Sequence, residues 1–308
     1  MVILTDTEFA LVHHELDSDP PRPGKVMLGR IAGDSITFTP ADVFESERTW
    51  ASNIARLTDS RFLILYSAGE NVEISNAIVA EVSDSGFSFG PKKPFHEART
   101  WFRVASLTPT KCIIAFRDSI NSSFGSAKIV EINGTDLTFG PVFVFHHGST
   151  FVYDIAVIAE EEFIVFYEDG SNNDAGTAVM GQVSGNAISF GPKVVYKCGS
   201  YSAFGYSAVS NDKYLITYSD DDDSSFGKLL FGHPFPGGEL IPLGIADFGL
   251  FSTSHVPVIL HGVSSIHPNL ETGKLYYALP DGGLTTATTT VRAGLAIPPY
   301  QLLVDIGR

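Results

Sequence analysis

Cysteine is nearly absent. The 308 residues hold two, Cys112 and Cys198, in unlike surroundings, so no disulfide framework is indicated. Cationic residues are also scarce: Lys and Arg number 20 against 35 Asp and Glu, a formal charge of −15. A field of that sign repels phosphate backbones and anionic membrane surfaces, so neither nucleic acid nor membrane insertion is expected. It favours cationic ligands and keeps the chain soluble. Long apolar runs are missing too. The longest, such as Phe62–Tyr66 and Cys112–Phe116, are short, whereas a membrane helix needs about 20 residues. The stretch Met1–Asp6 has no basic segment before an apolar run, so no signal peptide is read there; the cellular compartment stays open. No phosphate-binding Gly-Lys-Ser/Thr loop, Gly-x-Ser-x-Gly elbow, His-Glu-x-x-His or Cys-x-x-Cys occurs, and no segment keeps a 3.6-residue apolar period.

What is present excludes a disordered chain: 44% of residues are hydrophobic and 18% charged, against roughly a quarter charged in ordinary domains. The dominant feature is a repeat. Ile36-Thr-Phe-Thr-Pro40, Phe87-Ser-Phe-Gly-Pro91, Leu137-Thr-Phe-Gly-Pro141 and Ile188-Ser-Phe-Gly-Pro192 are near copies, with prolines 51, 50 and 51 residues apart, and a worn copy ends at Pro242. In the same phase run Phe9–Val12, Phe62–Tyr66, Cys112–Phe116, Phe163–Tyr167 and Tyr214–Tyr218. Each unit reads as four short strands: a small apolar one, a β-branched and aromatic one, one that begins with small residues, and one carrying Phe-Gly-Pro. First-to-second and third-to-fourth connections are tight turns; the other two are longer and polar.

Four-stranded units repeated at this period resemble β-propeller blades. That resemblance implies a single all-β domain spanning 1–308, with six blades near 1–48, 49–98, 99–148, 149–199, 200–249 and 250–308, and a seven-bladed count as the alternative. Stacking blades buries the sheet faces that one blade leaves open. Proline on the fourth strand suits an outer edge, where a missing donor costs least. The leftover segment Tyr300–Ile306 is expected to close the ring against the first blade.

The long loops would emerge on one face, and sites live on loops held by a scaffold. Three constellations fall there. Thr49-Trp50, Thr100-Trp101, Thr150-Phe151 and Ser200-Tyr201 pair a hydroxyl with a flat ring able to stack on a sugar, although such rings also wedge between blades. Asn53, Arg103, Asp154, Tyr206 and His255 occupy one repeat position and would form a chemically mixed ring about the axis. In a central pocket Tyr206 or His255 would act as base or acid, Arg103 would neutralise a substrate carboxylate and Asp154 would orient a partner; as polar channel caps they would instead satisfy one another. Third, Glu15, Asp118, Asp169 and Asp220, followed by Asn121, Asn172 and Asp222, offer oxygens that could surround Ca²⁺. The same residues nucleate turns, and the turn reading is preferred; no metal or cofactor is assigned.

Glu45, His96, His146 and Lys197 share a position that, accepting such different side chains, reads as surface. His14, His147 and His255 could each approach the loop face. A Cys198–His147 nucleophile is conceivable but poorly supported. Two functions follow. One is a lectin-like module binding glycans at several blade sites, with Trp50, Trp101, Phe151, Tyr201, Asn53, His14 and His147 as contacts. The alternative is an enzyme with one axial site, a polysaccharide lyase or glycoside hydrolase; a protein-interaction scaffold is the third reading. Neither oligomeric state nor ligand identity is legible.

Overall fold

The computed structural model describes residues 1–14, 22–69, 74–83, 86–197, 199, 201–210, 213–220, 226–235, 239–247, 261–264, 275–278, 284–285, 292–297 and 301–305. Its side chains are described through 197, Ala51 excepted, and again at 214–218. The architecture is all-β, built of four- and five-stranded antiparallel sheets that follow one another along the chain. It falls into two compact units, one of residues 1–161 with 183–189 and the other of 162–182 with 190–308.

In the first unit, one sheet holds β1 (Val2–Ile3), β2 (Glu8–His14), β3 (Gly24–Ala32), β4 (Ser35–Phe38) and β5 (Asp42–Glu45). A second holds β6 (Thr49–Arg56), β7 (Arg61–Ala68), β8 (Ile74–Ser83), β9 (Gly86–Phe89) and β10 (Lys93–His96). A third holds β11 (Phe102–Thr108), β12 (Lys111–Asp118), β13 (Phe124–Asn133), β14 (Asp136–Phe139) and β15 (Phe143–His146), and β16 (Thr150–Ala159) lies against β11 and β12.

The fourth strand of each unit was expected whole. In these three sheets it is two strands, both paired to the third strand of the sheet. The break falls at the proline. Gly90 N and Gly140 N make the last ladder bonds, to Val79 O and Ile129 O at 2.9 Å each, and Pro91 and Pro141 have no N–H with which to continue. Pairing resumes at Lys93↔Ala77 and Phe143↔Ala127. The glycines have a packing role as well. A Cβ on Gly90 would lie 2.6 Å from Thr135, and one on Gly140 would strike Asn186, so each seats against a turn of the next repeat.

Alternation along the second strand explains why its apolar run is continuous. Phe62, Ile64 and Tyr66 of β7 join Leu4, Val26, Leu28 and Phe44 of the first sheet in one core. Leu63 and Leu65, pointing the other way, join Phe102, Val104, Cys112, Ile114 and Phe116 of the third sheet in another. A strand buried on both faces has no polar side. Each such fully buried large side chain stabilises by about 1.5–3 kcal/mol.

In the second unit, β17 (Glu162–Asp169) pairs along its whole length with β18 (Ala175–Ser184). β19 (Ala187–Lys197) runs unbroken through Gly191-Pro192. β20 (Tyr201–Ser210), β21 (Lys213–Asp220), β22 (Phe226–Phe235) and β23 (Glu239–Asp247) form a four-stranded antiparallel sheet in chain order. The last sheet contains β24 (His261–Ser264), β25 (Leu275–Ala278), β26 (Leu284–Thr285), β27 (Arg292–Ile297) and β28 (Gln301–Asp305). Here one expectation is corrected. The C-terminal strand β28 lies in this sheet, between β24 and β27, with Ile297 opposite Gln301 and Val263 opposite Leu303. Only three residues separate β27 from β28, so the antiparallel neighbour in sequence is much the nearest partner.

Candidate functional site

The inner-strand polar residues are spent on neighbouring backbone. Asn53 of β6 accepts the Val104 amide of β11 at 2.9 Å. Arg103 of β11 donates from Nε to Tyr153 O of β16 at 2.5 Å and from Nη1 to its own neighbour Phe102 O at 2.9 Å. The Asp154 carboxylate accepts the Ile155 amide at 2.8 Å. Burial pushes the Asp154 carboxyl above its usual range, against the opposing pull of that amide and of the Arg103 charge. Asn53 thus ties β6 to β11 and Arg103 ties β11 to β16, while Asp154 is bonded within its own strand. Tyr206 sits on β20 opposite Ile216, its side chain outside the described set; His255 lies outside the described residues altogether.

The repeated hydroxyls are likewise occupied. Thr49, Thr100 and Thr150 are buried. They donate to Glu47 O at 3.1 Å, to Arg117 O, and to Gly148 O at 2.9 Å respectively. They pin the start of each inner strand, their protons committed to backbone carbonyls. The rings beside them differ from one another. Trp50 is flanked by the guanidiniums of Arg48 and Arg99, 4.0 and 4.5 Å from its centroid, and its indole Nε1 is buried. Phe151 carries Arg117 at 4.4 Å and meets the edge of Trp101 at 6.3 Å. Trp101 is 52% exposed. The Tyr201 side chain is outside the described set.

Trp101 opens onto a cleft of about 240 Å³ lined by Arg99, Thr100, Trp101, Arg117, Ser119 and Ser123. Its walls come from the loop entering β11, from Arg117 near the end of β12 and from the loop between β12 and β13; the two loops belong to the long-loop classes that the repeat assigns to one face. The second of these is a defined structure. Asn121 N bonds Asp118 O at 3.0 Å and Phe124 N bonds Asn121 O at 3.1 Å. Between them Ser122 and Ser123 have φ of 53° and 60°, the type I′ geometry that usually demands Gly or Asn. The corresponding turn in the next repeat, Asn172–Ala175, has Asn173 and Asp174 at φ 54° and 57°. Asp169 is held there by Ser171, through its amide at 3.0 Å and its hydroxyl at 2.5 Å. These contacts are the turn chemistry weighed above, and no cluster of three metal-ligating side chains occurs among the described residues. Glu15, Asp222 and Cys198 lie outside the described residues, and of Asp220 only the backbone is described. A larger hollow of about 390 Å³ lies beside the tight turns at Thr110, Lys111, Glu131 and Asn133. No aromatic ring lines it, and Lys111 there is bonded to Gly185 O at 3.1 Å.

The surface reading of Glu45, His96, His146 and Lys197 is overturned: all four are buried. The position lies inward at the end of the outer strand, where Glu45 and His96 find different partners. Glu45 accepts Lys92 Nζ at 2.8 Å and Tyr66 OH at 3.1 Å. Burial works to raise its pKa, but the Lys92 hydrogen bond and charge, the Glu47 amide and the Tyr66 hydroxyl outweigh it and the net shift is downward. His96 Nε2 meets Ser119 Oγ at 3.2 Å and lies 3.9 Å from Asp118 Oδ1. A hydroxyl–imidazole–carboxylate relay needs the acid on the other ring nitrogen; here both oxygens face Nε2, and Ser119 also donates to Arg99 O at 3.2 Å. Burial lowers the His96 pKa and Lys128 adds to this, while Asp118 and Glu97 oppose it, so the ring is neutral. The unfolded chain therefore binds this proton first. Thermal stability should fall as pH drops below about 6.5, the unfolded imidazole value. His96→Gln should flatten the slope between pH 7 and 5.5 in a melting series, leaving the loss tied to Glu45 at lower pH. An unchanged slope would contradict the assignment.

His14 is half-buried at the end of β2, opposite Gly24. His147 is exposed, with its ring against Phe124 at 5.2 Å. Neither lines the Trp101 cleft. Cys112 is buried and free, its thiol pushed up to about 12 by burial, which makes it inert. The cleft residues missed from sequence are Arg99, Arg117, Ser119 and Ser123. For Arg117 the signal was departure from the repeat: it stands where other units have Ser67, Glu168 and Ser219, beside an aromatic that barely varies.

No family model and no curated protein matches the chain. Solved structures similar to it include a Hadza microbial sialidase at 10% identity and TM-score 0.45, covering 73% of this chain and 53% of that one. The SapL1 lectin in complex with alpha methyl fucoside aligns at 12% identity and TM-score 0.42, over 83% and 85%. A prolyl endopeptidase aligns at 12% identity and TM-score 0.45, over 78% and 33%. The chain thus spans about a third of that endopeptidase and about half of the sialidase.

Proposed function

We propose that the protein binds glycans on its long-loop face, at the cleft beside Trp101. The observation that carries this reading is the half-exposed indole standing over a cleft whose other walls are hydroxyls and guanidiniums. A flat apolar face bounded by hydrogen-bond donors is what a pyranose ring requires, stacking its C–H side while its hydroxyls are met at the rim. A cleft of this volume takes one sugar unit. Because Trp50 is flanked by two guanidiniums and Phe151 carries Arg117, the repeat supplies one open platform among the described rings rather than several equal ones.

The chain has only two tryptophans, which makes the test direct. In Trp50→Phe, Trp101 is the sole indole and its emission should change when a binding glycan from a neutral and acidic oligosaccharide panel is added. Calorimetry should give one site per chain, and Trp101→Ala should weaken binding by about tenfold or more, the effect of losing a stacking platform. A bound glycan that leaves Trp101 emission unchanged and tolerates Trp101→Ala would overturn the reading.

A further inference from the structure

We infer that the sugar taken by this cleft carries a carboxylate, which Arg117 receives while Trp101 stacks on the ring; the inference rests on the glycan-binding reading. The argument is one of charge placement. The chain has a formal charge of −15, yet among the described residues the cleft is lined by two arginines, two serines, a threonine and a tryptophan, and by no carboxylate. Asp118, next in sequence to Arg117, is buried and faces the His96 ring instead. Among the described residues no acidic side chain comes within ion-pair distance of Arg117, and the only group under its guanidinium is the Phe151 face, at 4.4 Å. Stacking on Phe151 fixes the plane of the guanidinium and leaves its N–H edge for an acceptor. A planar fork of that kind matches a carboxylate bidentately, which a neutral sugar hydroxyl cannot do.

The arrangement is local to one repeat. Where the third repeat has Arg117, the fourth has Glu168 and the second Ser67, so the charge is not a property of the scaffold. Trp101 and Phe151 stand 6.3 Å apart, edge to face, so the arginine stacked on one ring is a near neighbour of the open face of the other. Ser119 and Ser123, on the same loop, supply further hydroxyls to the rim. One side of the ligand is therefore apolar, one end anionic and the rest hydroxylated, which describes a uronate or a sialate.

The test compares acids with their neutral counterparts on the intact chain. Trigalacturonate is titrated against its methyl ester, and 3′-sialyllactose against its methyl ester, by calorimetry; the two pairs separate a uronate from a sialate ligand. One acid should bind at least about tenfold more tightly than its neutral counterpart, the worth of a charge-assisted bond. Added sodium chloride should weaken that binding. Arg117→Gln should erase the difference, Arg117→Lys should restore it only in part, and unchanged melting curves should show that both variants fold. Equal binding of acid and neutral forms, or an acid preference that survives Arg117→Gln in a folded variant, overturns the carboxylate inference while the glycan reading stands. No binding of any of the four sugars in the wild-type chain, together with silence across the wider panel, overturns both.

Discussion

Replacing Phe116 by alanine should cost about 3–5 kcal/mol of unfolding free energy, the range for a large aromatic removed from a close-packed core. The side chain has no exposed surface. It belongs to the cluster shared by the second and third sheets, lies 6.2 Å from Phe95 at 75° and 5.2 Å from the His96 ring, and has the Lys128 ammonium 5.5 Å from its centroid. Lys128 is itself buried, bonded to Phe95 O at 2.7 Å, and the ring face is part of what makes that burial tolerable. The cavity would therefore remove apolar contacts and a cation's resting surface together. Urea denaturation should show the midpoint falling with little change in slope. Ile120→Ala, 64% exposed on the adjoining loop, should stay within about 0.5 kcal/mol. A Phe116→Ala loss below about 1 kcal/mol would mean the core is not packed as described.

The second large effect should come from adding atoms. Gly125 opens β13, and a Cβ there would meet the Phe145 ring within 2.7 Å or less. Valine is a good strand residue, so a reading based on local preference would predict a gain. The structure predicts the reverse: Gly125→Val should destabilise by about 1–3 kcal/mol or more through overpacking, visible as a lower melting temperature. The same close approach recurs at Gly24 with Phe44 and at Gly176 with Tyr196, so an aromatic from the outer strand lies over the start of the third strand in each. Shrinking the ring should rescue the defect, with Gly125→Ala combined with Phe145→Leu more stable than Gly125→Ala alone. Gly134→Asn is the control. Its φ is +62° with nothing within 4 Å of a built Cβ, and asparagine tolerates that backbone, so little should change.

Strands and their order were legible because short apolar runs recur at about 51 residues with turn residues between them, and burial on both faces keeps the second-strand runs continuous. Much of the site was not, for reasons that vary by residue. Trp50 and Trp101 follow the same Thr in the same phase, and only the arginines that fold over the first distinguish them. Arg48 is two residues away in sequence, but Arg99 comes from the next repeat. The threonine hydroxyls looked available because sequence cannot show that a strand's own preceding or facing carbonyl will claim them. The column of Glu45, His96, His146 and Lys197 misled most, since variation among charged residues ordinarily marks solvent. Here all four are buried, and the partners differ between Glu45, on Lys92 and Tyr66, and His96, on Ser119 and Asp118.

That difference constrains the arrangement of the copies. Glu45 in the first repeat meets Lys92 of the second, but the residue corresponding to Lys92 in the third repeat is Val142. Were the second and third segments transposed by recombination, the Glu45 carboxylate would face an aliphatic side chain with its ammonium gone, and a lone buried anion is far costlier than a missing contact. Repeated modules invite unequal crossover, and an ion pair that spans a junction penalises the products in which its two halves are parted.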